Sequence, residues 1–339
     1  MSGRRPARAT IVDVARRAGV STATVSRVTN QTALVAPATA ARVKAAIVDL
    51  DYRPHAAARI LASHRTETIG LVFPQISGNY FPALLRGIAN CASEYGYDLL
   101  IYSAQESAAH RRPYSYPVGE QNMDGMLVFT DGLPAGELGR LHANGFPVVL
   151  IHCSPPKGLR IPSVTIESRE SARCLVDHLI EGHGRRRIAY LAGPDEHEDS
   201  HRREEGYRDA LAAHRILYDP DLVAEGGFSD RTARAAVQQW LSRRVDIDAI
   251  FAGDDDSATG ALAALDEAGR RVGEDIALVG FDDIEVARYV NPPLTTVRAP
   301  VERVGREAVH RLMQVIRTGD ADLVTVLPTQ IVIRRSCGC

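Results

Sequence analysis

Residues 19–27 read GVSTATVSR. Four hydroxyl side chains, Ser21, Thr22, Thr24 and Ser26, fall within six positions, and Arg27 follows them. Small hydroxyls admit close approach to a partner and can bond phosphate oxygens, while an arginine fork can read a guanine edge through two parallel hydrogen bonds. A second stretch with the right residue types for chemistry is HEDSH at 197–201. It fits the H-E-x-x-H spacing in which two histidines on one helical face hold zinc and the glutamate acts as base. The chain ends Cys337-Gly338-Cys339, which could bind a metal or sense redox state; a frayed tail is the expectation. No G-x-S-x-G, Walker A or G-x-G-x-x-G motif occurs.

The hydroxyl-rich stretch needs a helix to position it. Ser and Thr are mediocre helix formers because their side chains compete for backbone hydrogen bonds. Yet Val20, Val25 and Val28 recur with the spacing of one buried helical stripe. Just upstream, Thr10 with Asp13 three residues on forms a capping-box-like start, followed by Val14, Ala15 and Ala18 as an apolar face. Gly19 suits a left-handed helix end, and Ser21 is a good N-cap for the next helix, with Val20 before it as a staple. Two short helices joined by a glycine turn make a helix-turn-helix, whose second helix enters the DNA major groove. A third helix is expected from about Pro37, with Val43, Ile47 and Leu50 on one face and Ala36 a poor cap. Tyr52-Arg53-Pro54 interrupts it. HAAARILAS at 55–63 is below the ~12–15 residues at which isolated helices become marginal, so it is expected to be disordered until something packs against it.

Charge agrees with this division. The 339 residues carry a net charge of −2. Residues 1–65 hold eleven Lys/Arg against Asp13, Asp49 and Asp51, a balance of +8, which leaves −10 for the remainder. A small basic module joined to an acidic body suits approach to phosphate. Apolar content of 45% and charged content of 24% are ordinary for a globular protein. No apolar run of 18 residues occurs, so no membrane span is expected. The N-terminus, MSGRRPARATIVD, is basic without the apolar core of a secretory signal. Five scattered cysteines do not form a disulfide framework. The expected location is the cytoplasm, and the nucleoid when DNA is bound.

With these residues in place the chain resembles the LacI/GalR family of bacterial transcription regulators. The resemblance rests on TIVDVARRAGVSTATVSRVTN (10–30), LDYRPHAAARILAS (50–63), TIGLVFPQISGNYF (68–81), RREEGY (202–207), DDDSATGALAAL (254–265), GFDD (280–283) and NPPLTTVRAP (291–300). It therefore covers essentially the whole chain. It implies that Thr22, Ala23 and Arg27 read bases, and that Thr10, Ser21, Thr24, Ser26 and Asn30 contact phosphates. His55, Ala58 and Leu61 match hinge positions, Leu61 being the leucine that wedges into the central minor-groove step. His55 stands where the family usually has Asn.

Downstream, the runs IGLVF, DLLIY, GMLVF, PVVLI, RIAYL, AIFAG and IALVG alternate with helical stretches. They read as buried parallel strands in βαβ units, giving one or two open sheets with ligands at the strands' carboxyl ends. The fold class is thus a helical DNA-binding domain (1–54), a hinge helix and linker (55–67) and an α/β body (68–339). The resemblance implies two periplasmic-binding-protein-like subdomains, about 68–166 with 298–327 and 167–297 with 328–339, and an effector in the cleft between them.

The effector-site residues implied by the resemblance are Tyr80, Phe81, His152, Asp199, Arg203, Phe228, Asp254 and Asp282. Aromatic faces with charged bidentate groups suit a polyhydroxylated ligand: a sugar, a sugar acid held by Arg203, or a nucleoside. Asp255 and Asp256 are assigned to capping the next helix. Several positions depart from the family: His152 replaces the Asp of many sugar binders, Asp254 a common Asn, Ala299 a frequent Gln. RRPYSYPVGEQ at 111–121 breaks a usually helical pattern.

The expected function is a sequence-specific regulator, most simply a repressor of carbohydrate-metabolism genes, acting as a homodimer on palindromic operator DNA. No enzyme activity, cofactor, metal or membrane partner is expected. The zinc-metallopeptidase reading of His197, Glu198 and His201 is set aside because Gly193-Pro194 marks a strand-to-helix loop and no third ligand is identifiable. A transporter solute-binding protein would share the body fold, but the missing signal peptide and the helix-turn-helix oppose it. The chain ends at IVIRRSCGC without an apolar heptad tail, so a dimer is expected over a tetramer.

Overall fold

Thr10 and Asp13 start the first helix by the reciprocal cap their spacing predicts. Thr10 N–H donates to Asp13 Oδ2 at 2.9 Å, and Asp13 N–H donates to Thr10 Oγ1 at 3.4 Å. The computed structural model describes residues 9–30, 33–52, 65–73, 78–103, 122–130 and 132–339, and the chain divides into two units between Thr66 and Glu67. The hinge residues His55, Ala58 and Leu61 and the segment 111–121 lie outside the described residues.

In the first unit, α1 (Ile11–Ala18) ends at Gly19 with φ 65°. The second helix, α2 (Thr22–Asn30), is capped by Ser21, whose Oγ accepts from Thr24 N–H at 3.2 Å. The third, α3 (Pro37–Asp49), has proline in its first turn and no side-chain cap at Ala36. Val14, Ala15, Ala18, Val25, Val43 and Ala46 form the core, flanked by Val20, Val28, Ile47 and Leu50. Arg17 reaches Asp49 at 2.9 Å between α1 and α3, an exposed pair of little energetic weight.

The second unit contains two sheets. The first comprises β1 (Thr68–Phe73), β2 (Asp98–Ser103), β3 (Gly125–Phe129), β4 (Val148–Ile151), β5 (Ser163–Ile166) and β11 (Val324–Leu327). Its order is β11-β5-β4-β3-β1-β2, all parallel. The second comprises β6 (Ile188–Ala192), β7 (Val223–Glu225), β8 (Ala249–Ala252), β9 (Ala277–Asp282), β10 (Thr295–Arg298) and β12 (Gln330–Val332). Its order is β12-β10-β9-β8-β6-β7, parallel except for β12 against β10. The chain passes between sheets after β5, after β10 and after β11. All seven apolar runs of the sequence are strands, with β2 at a sheet edge. The helices of this unit are α4 (Phe81–Glu94), α5 (Ala135–Ala143), α6 (Arg169–His183), α7 (Glu198–Ala213), α8 (Asp230–Ser242), α9 (Asp255–Glu267) and α10 (Val301–Thr318). Among the described residues, no helix is long and apolar enough to cross a membrane.

The chain's end departs from expectation. Cys337 is fully buried, and Ser336 Oγ donates to Leu278 O at 2.5 Å while accepting from Thr295 N–H at 2.8 Å. The tail is held on β9 and β10 because a buried serine must satisfy both its donor and its acceptor capacity.

Helix pairs in this unit pack through mid-helix glycines. A Cβ on Gly87 would collide with the Glu302 carbonyl, one on Gly206 with Arg169 O, and one on Gly260 with Asp230 O. The pairs α4/α10, α6/α7 and α8/α9 therefore approach backbone to backbone. Alanine gains about 1 kcal/mol of helix propensity over glycine, but overpacking costs about 1–3 kcal/mol. Gly87→Ala should accordingly lower the denaturation midpoint in urea, and an unchanged or raised midpoint would show that α4 and α10 can separate freely.

Candidate functional site

The first unit presents one face of α2. Thr22, Ala23 and Arg27 are exposed, while Val25 on the opposite side is fully buried. Thr24 and Ser26 are half-buried, and Thr10 and Ser21 exposed. Several of these hydroxyls already have local work. Thr10 Oγ1 donates to Asp13 Oδ2 at 2.7 Å, and Ser21 Oγ and Thr24 Oγ1 lie 2.9 Å apart. The side chain of Asn30, the last residue of α2, lies outside what is described.

In the second unit the remaining candidates gather at strand ends. Of the eight non-glycine residues with positive φ among the described residues, His152, Phe228, Asp282 and Asp283 lie here. Backbone held in that region is disfavoured and concentrates where a fold must aim particular side chains. His152 (φ 61°) follows β4, Asp282 (φ 106°) ends β9, and Phe228 (φ 52°) follows β7. On α7, Asp199 and Arg203 are one turn apart and both buried.

These residues form two linked groups. His152 Nδ1 lies 2.7 Å from Asp199 Oδ2, and its Nε2 lies 2.5 Å from Tyr80 Oη. The row Tyr80–His152–Asp199 thus joins the first sheet's strand ends to α7. Arg203 Nη1 donates to Gly253 O at 2.6 Å and Nη2 to Asp282 Oδ1 at 3.4 Å. Its guanidinium carbon lies 3.8 Å from the Phe281 ring centre and 5.5 Å from that of Phe228, both within cation–π range. Arg203 Nε is buried without a hydrogen-bond partner among the described residues. Phe81 packs on Phe73 and Phe129 at 4.9 and 5.2 Å, forming the wall behind Tyr80.

Burial sets the protonation pattern. It pushes Asp254 up to about 7 and raises Asp282 despite the nearby Arg203 charge. Burial alone would also raise Asp199, but His152 and Arg203 hold its carboxyl below the usual range. His197 is pushed down to about 4 by burial. The cleft thus offers one firmly ionised carboxylate, one arginine fork and a carboxyl poised near neutrality, a mixture of donors and acceptors suited to hydroxyl groups.

Two sequence expectations need correction. HEDSH is the first turn of α7, with His197 as its N-cap, and not a loop. Its two candidate ligands and candidate base nevertheless have separate surroundings. His197 packs edge-on against Phe228 at 5.1 Å, Glu198 accepts from Ser154 Oγ at 2.7 Å and pairs with Arg202, and His201 is exposed. The second correction concerns the aspartates. Asp254 caps α9 by accepting from Ser257 N–H at 2.9 Å. Asp255, fully buried, accepts from Thr296 Oγ1 at 2.6 Å and Ile284 N–H at 3.0 Å. Asp256 accepts from Asn79 N–H at 2.9 Å and Asn79 Nδ2 at 2.6 Å. Asp255 and Asp256 therefore tie loops together, and capping falls to Asp254.

Sequence reasoning did not assign Phe129, Phe281 and Gly193 to the site, and it weighed His197 only as a zinc ligand. Phe129 stands in the strand run GMLVF and Phe281 in GFDD, and their place at carboxyl strand ends was the available signal. A Cβ on Gly193 would collide with the Phe228 ring, so this glycine seats the aromatic.

Unfolded, Asp254 loses its proton near pH 4; folded, it keeps the proton to about pH 7. Stability therefore falls between those values and levels off above them, because the unfolded chain releases its proton first. Asp254→Asn keeps a capping side chain and removes this penalty. Its expected effect is a gain of up to about 4 kcal/mol at pH 8 and none at pH 4. Chemical denaturation at the two pH values checks this; equal effects at both would mean Asp254 ionises normally.

Comparison with known proteins extends these observations. A family model described as "Bacterial regulatory proteins, lacI family" matches residues 10–55, and one described as "Periplasmic binding protein-like domain" matches 176–337. The HTH-type transcriptional regulator CelR of Thermobifida fusca is 36% identical over 98% of this chain and 99% of its own. The HTH-type transcriptional repressor PurR of Erwinia tasmaniensis is 35% identical over 97% of this chain and 96% of its own. Among solved structures, a lac repressor dimer bound to operator and the anti-inducer ONPF aligns with TM-score 0.85 at 27% identity, covering 98% of this chain and 99% of that one. A CelR–cellobiose complex aligns with TM-score 0.72 at 34% identity, covering 97% and 100%.

Proposed function

Because the chain belongs to the lacI family of bacterial regulatory proteins, and is thus a transcriptional regulator and not an enzyme, we propose that it is a dimeric repressor of carbohydrate-metabolism genes whose operator affinity is set by a sugar. The observation that carries the reading is the buried Arg203–Asp282 pair facing Tyr80 and His152. An arginine fork with a spare Nε donor beside carboxyl acceptors and a Phe228 face matches vicinal hydroxyls on a flat apolar ring surface. A similar protein, matched over nearly the whole chain, is a CelR–cellobiose complex, which supports a sugar over a sugar acid or nucleoside.

On the DNA side, Thr22, Ala23 and Arg27 read bases, and Thr10, Ser21, Thr24, Ser26 and Asn30 hold phosphates. His55, Ala58 and Leu61 contact the minor groove, Leu61 as the wedge at its central step. Among the described residues, the contacts that join the subdomains beside the cleft include Tyr80–His152–Asp199, Asn79–Asp256, Ser154–Glu198 and Thr165–Arg202. A sugar among them binds the two subdomain arrangements with different affinity, and that difference is the whole of its leverage on the operator.

Arg27→Ala should lower specific operator affinity by ~1–3 kcal/mol and relax preference at one base pair of each half-site. Fluorescence anisotropy against single-base operator variants reads this out, and retained discrimination would reassign the recognition face. Arg203→Lys keeps the charge beside Asp282 and loses the fork. It should leave operator affinity intact while weakening the sugar response at least about tenfold, about 1.4 kcal/mol. A thermal-shift screen of mono- and disaccharides, sugar acids and nucleosides identifies the effector; stabilisation by nucleosides alone would sink the sugar assignment.

A further inference from the structure

Away from the cleft, His178, His183, Cys337 and Cys339 bring four metal-ligating atoms within 4.8 Å of one another. Among the described residues no other such group of His, Cys, Asp and Glu occurs. Both histidines lie on α6, His183 as its last residue, and the cysteines close the chain. We propose that this Cys2His2 set is a structural zinc site that fastens the C-terminus to α6.

The distances carry the argument. Tetrahedral zinc bonds sulfur at about 2.3 Å and nitrogen at about 2.0–2.1 Å, which places two ligand nitrogens about 3.3 Å apart and nitrogen about 3.6 Å from sulfur. His178 Nε2 and His183 Nε2 are 3.3 Å apart. Cys339 Sγ lies 3.3 Å from His183 Nε2 and 3.8 Å from His178 Nε2. Both imidazoles thus turn the same ring nitrogen toward one point, where at most one proton could sit between them.

The backbone is arranged to the same end. Gly338 has φ 103°, and a Cβ on it would come within 2.9 Å of Gly273 O and 3.4 Å of His183 Nδ1. Only glycine allows the turn that brings both flanking thiols to one side. Cys337 is fully buried and its neighbour Ser336 is pinned to β9 and β10, so this ligand is pre-positioned. Cys339 is exposed, and a groove of about 950 Å³ lined in part by Arg271, Glu274, Arg335 and Cys339 gives an ion access.

Two nitrogen and two sulfur donors suit zinc over magnesium, calcium or manganese, and four protein ligands leave no open position for catalysis. Binding releases the two thiol protons to solvent as the thiolates bond the metal. The H-x4-H and C-x-C spacings were present in the sequence, but 153 residues separate them, and only the fold brings them together.

The test uses the full-length protein purified under reducing conditions. Metal analysis should find about one zinc per chain, and chelated protein reloaded with Co2+ should show tetrahedral bands with thiolate charge transfer. In the double variant Cys339→Ser/His183→Gln, zinc should fall below about a tenth per chain, with the circular dichroism spectrum unchanged. Cys339→Ser alone alters an exposed side chain, so it separates metal loss from misfolding: it should remove part of the cobalt charge-transfer intensity. Chelation should lower the wild-type thermal midpoint and leave that of the double variant unmoved. Absence of zinc after reloading, full retention in the double variant, or a Cys337–Cys339 disulfide formed under the same reducing conditions would each overturn the proposal.

Discussion

A guanidinium held away from water loses much of its solvation free energy and keeps its charge only where other groups replace the water. Arg203, 4% exposed, is in that position at the centre of the body. The Gly253 carbonyl, the Asp282 carboxylate and the rings of Phe281 and Phe228 surround it. Each replacement imposes a further condition. Asp282 must leave β9 with φ 106° to face the guanidinium, and Phe228 must sit where Gly193 has no side chain. The strained backbone and the close-approach glycine are consequences of placing one cation there.

A second consequence concerns motion. The helix pairs beside each sheet meet at glycines and cannot slide without opening backbone contacts. By contrast, the contacts beside the cleft are polar: Asn79–Asp256 and Ser154–Glu198 are exposed and worth little net free energy because water replaces them, while the Tyr80–His152–Asp199 row is buried and costly to break. Stiff bodies joined by so few elements can shift as units only about the chain crossings after β5, β10 and β11. This is the mechanical property a ligand-set regulator needs.

Much of this is legible without tertiary structure. Thr10/Asp13, Gly19, Ser21 and Pro37 mark helix ends because caps involve residues three or four apart. Among the described residues, seven of the twelve strands show as apolar runs; six are buried and so lack polar alternation, whereas β2, expected to be buried, is largely exposed at its sheet edge. The other five, SVTI, VAE, TTVR, VTVL and QIV, have only three or four residues each, too few to show a period. They are strands because a neighbour supplies the pairing, which no local pattern records.

The sequence by itself determined the helix ends of the first unit, seven strands and their order, the family and the pool of polar residues at strand ends. Tertiary structure alone decided how that pool divides. Asp254, Asp255 and Asp256 are chemically identical, but successive helical residues point in different directions, so one caps, one ties β-strand loops and one reaches Asn79. In HEDSH, the matching spacing says nothing of what each ring meets, and Phe228 and Ser154 lie 31 and 44 positions away from His197 and Glu198. The same holds for the chain's last residues, which look frayed in one dimension and are anchored in three. Local sequence fixes backbone conformation through interactions a few residues long, whereas the surroundings of a side chain are set by whichever distant segments the fold packs beside it.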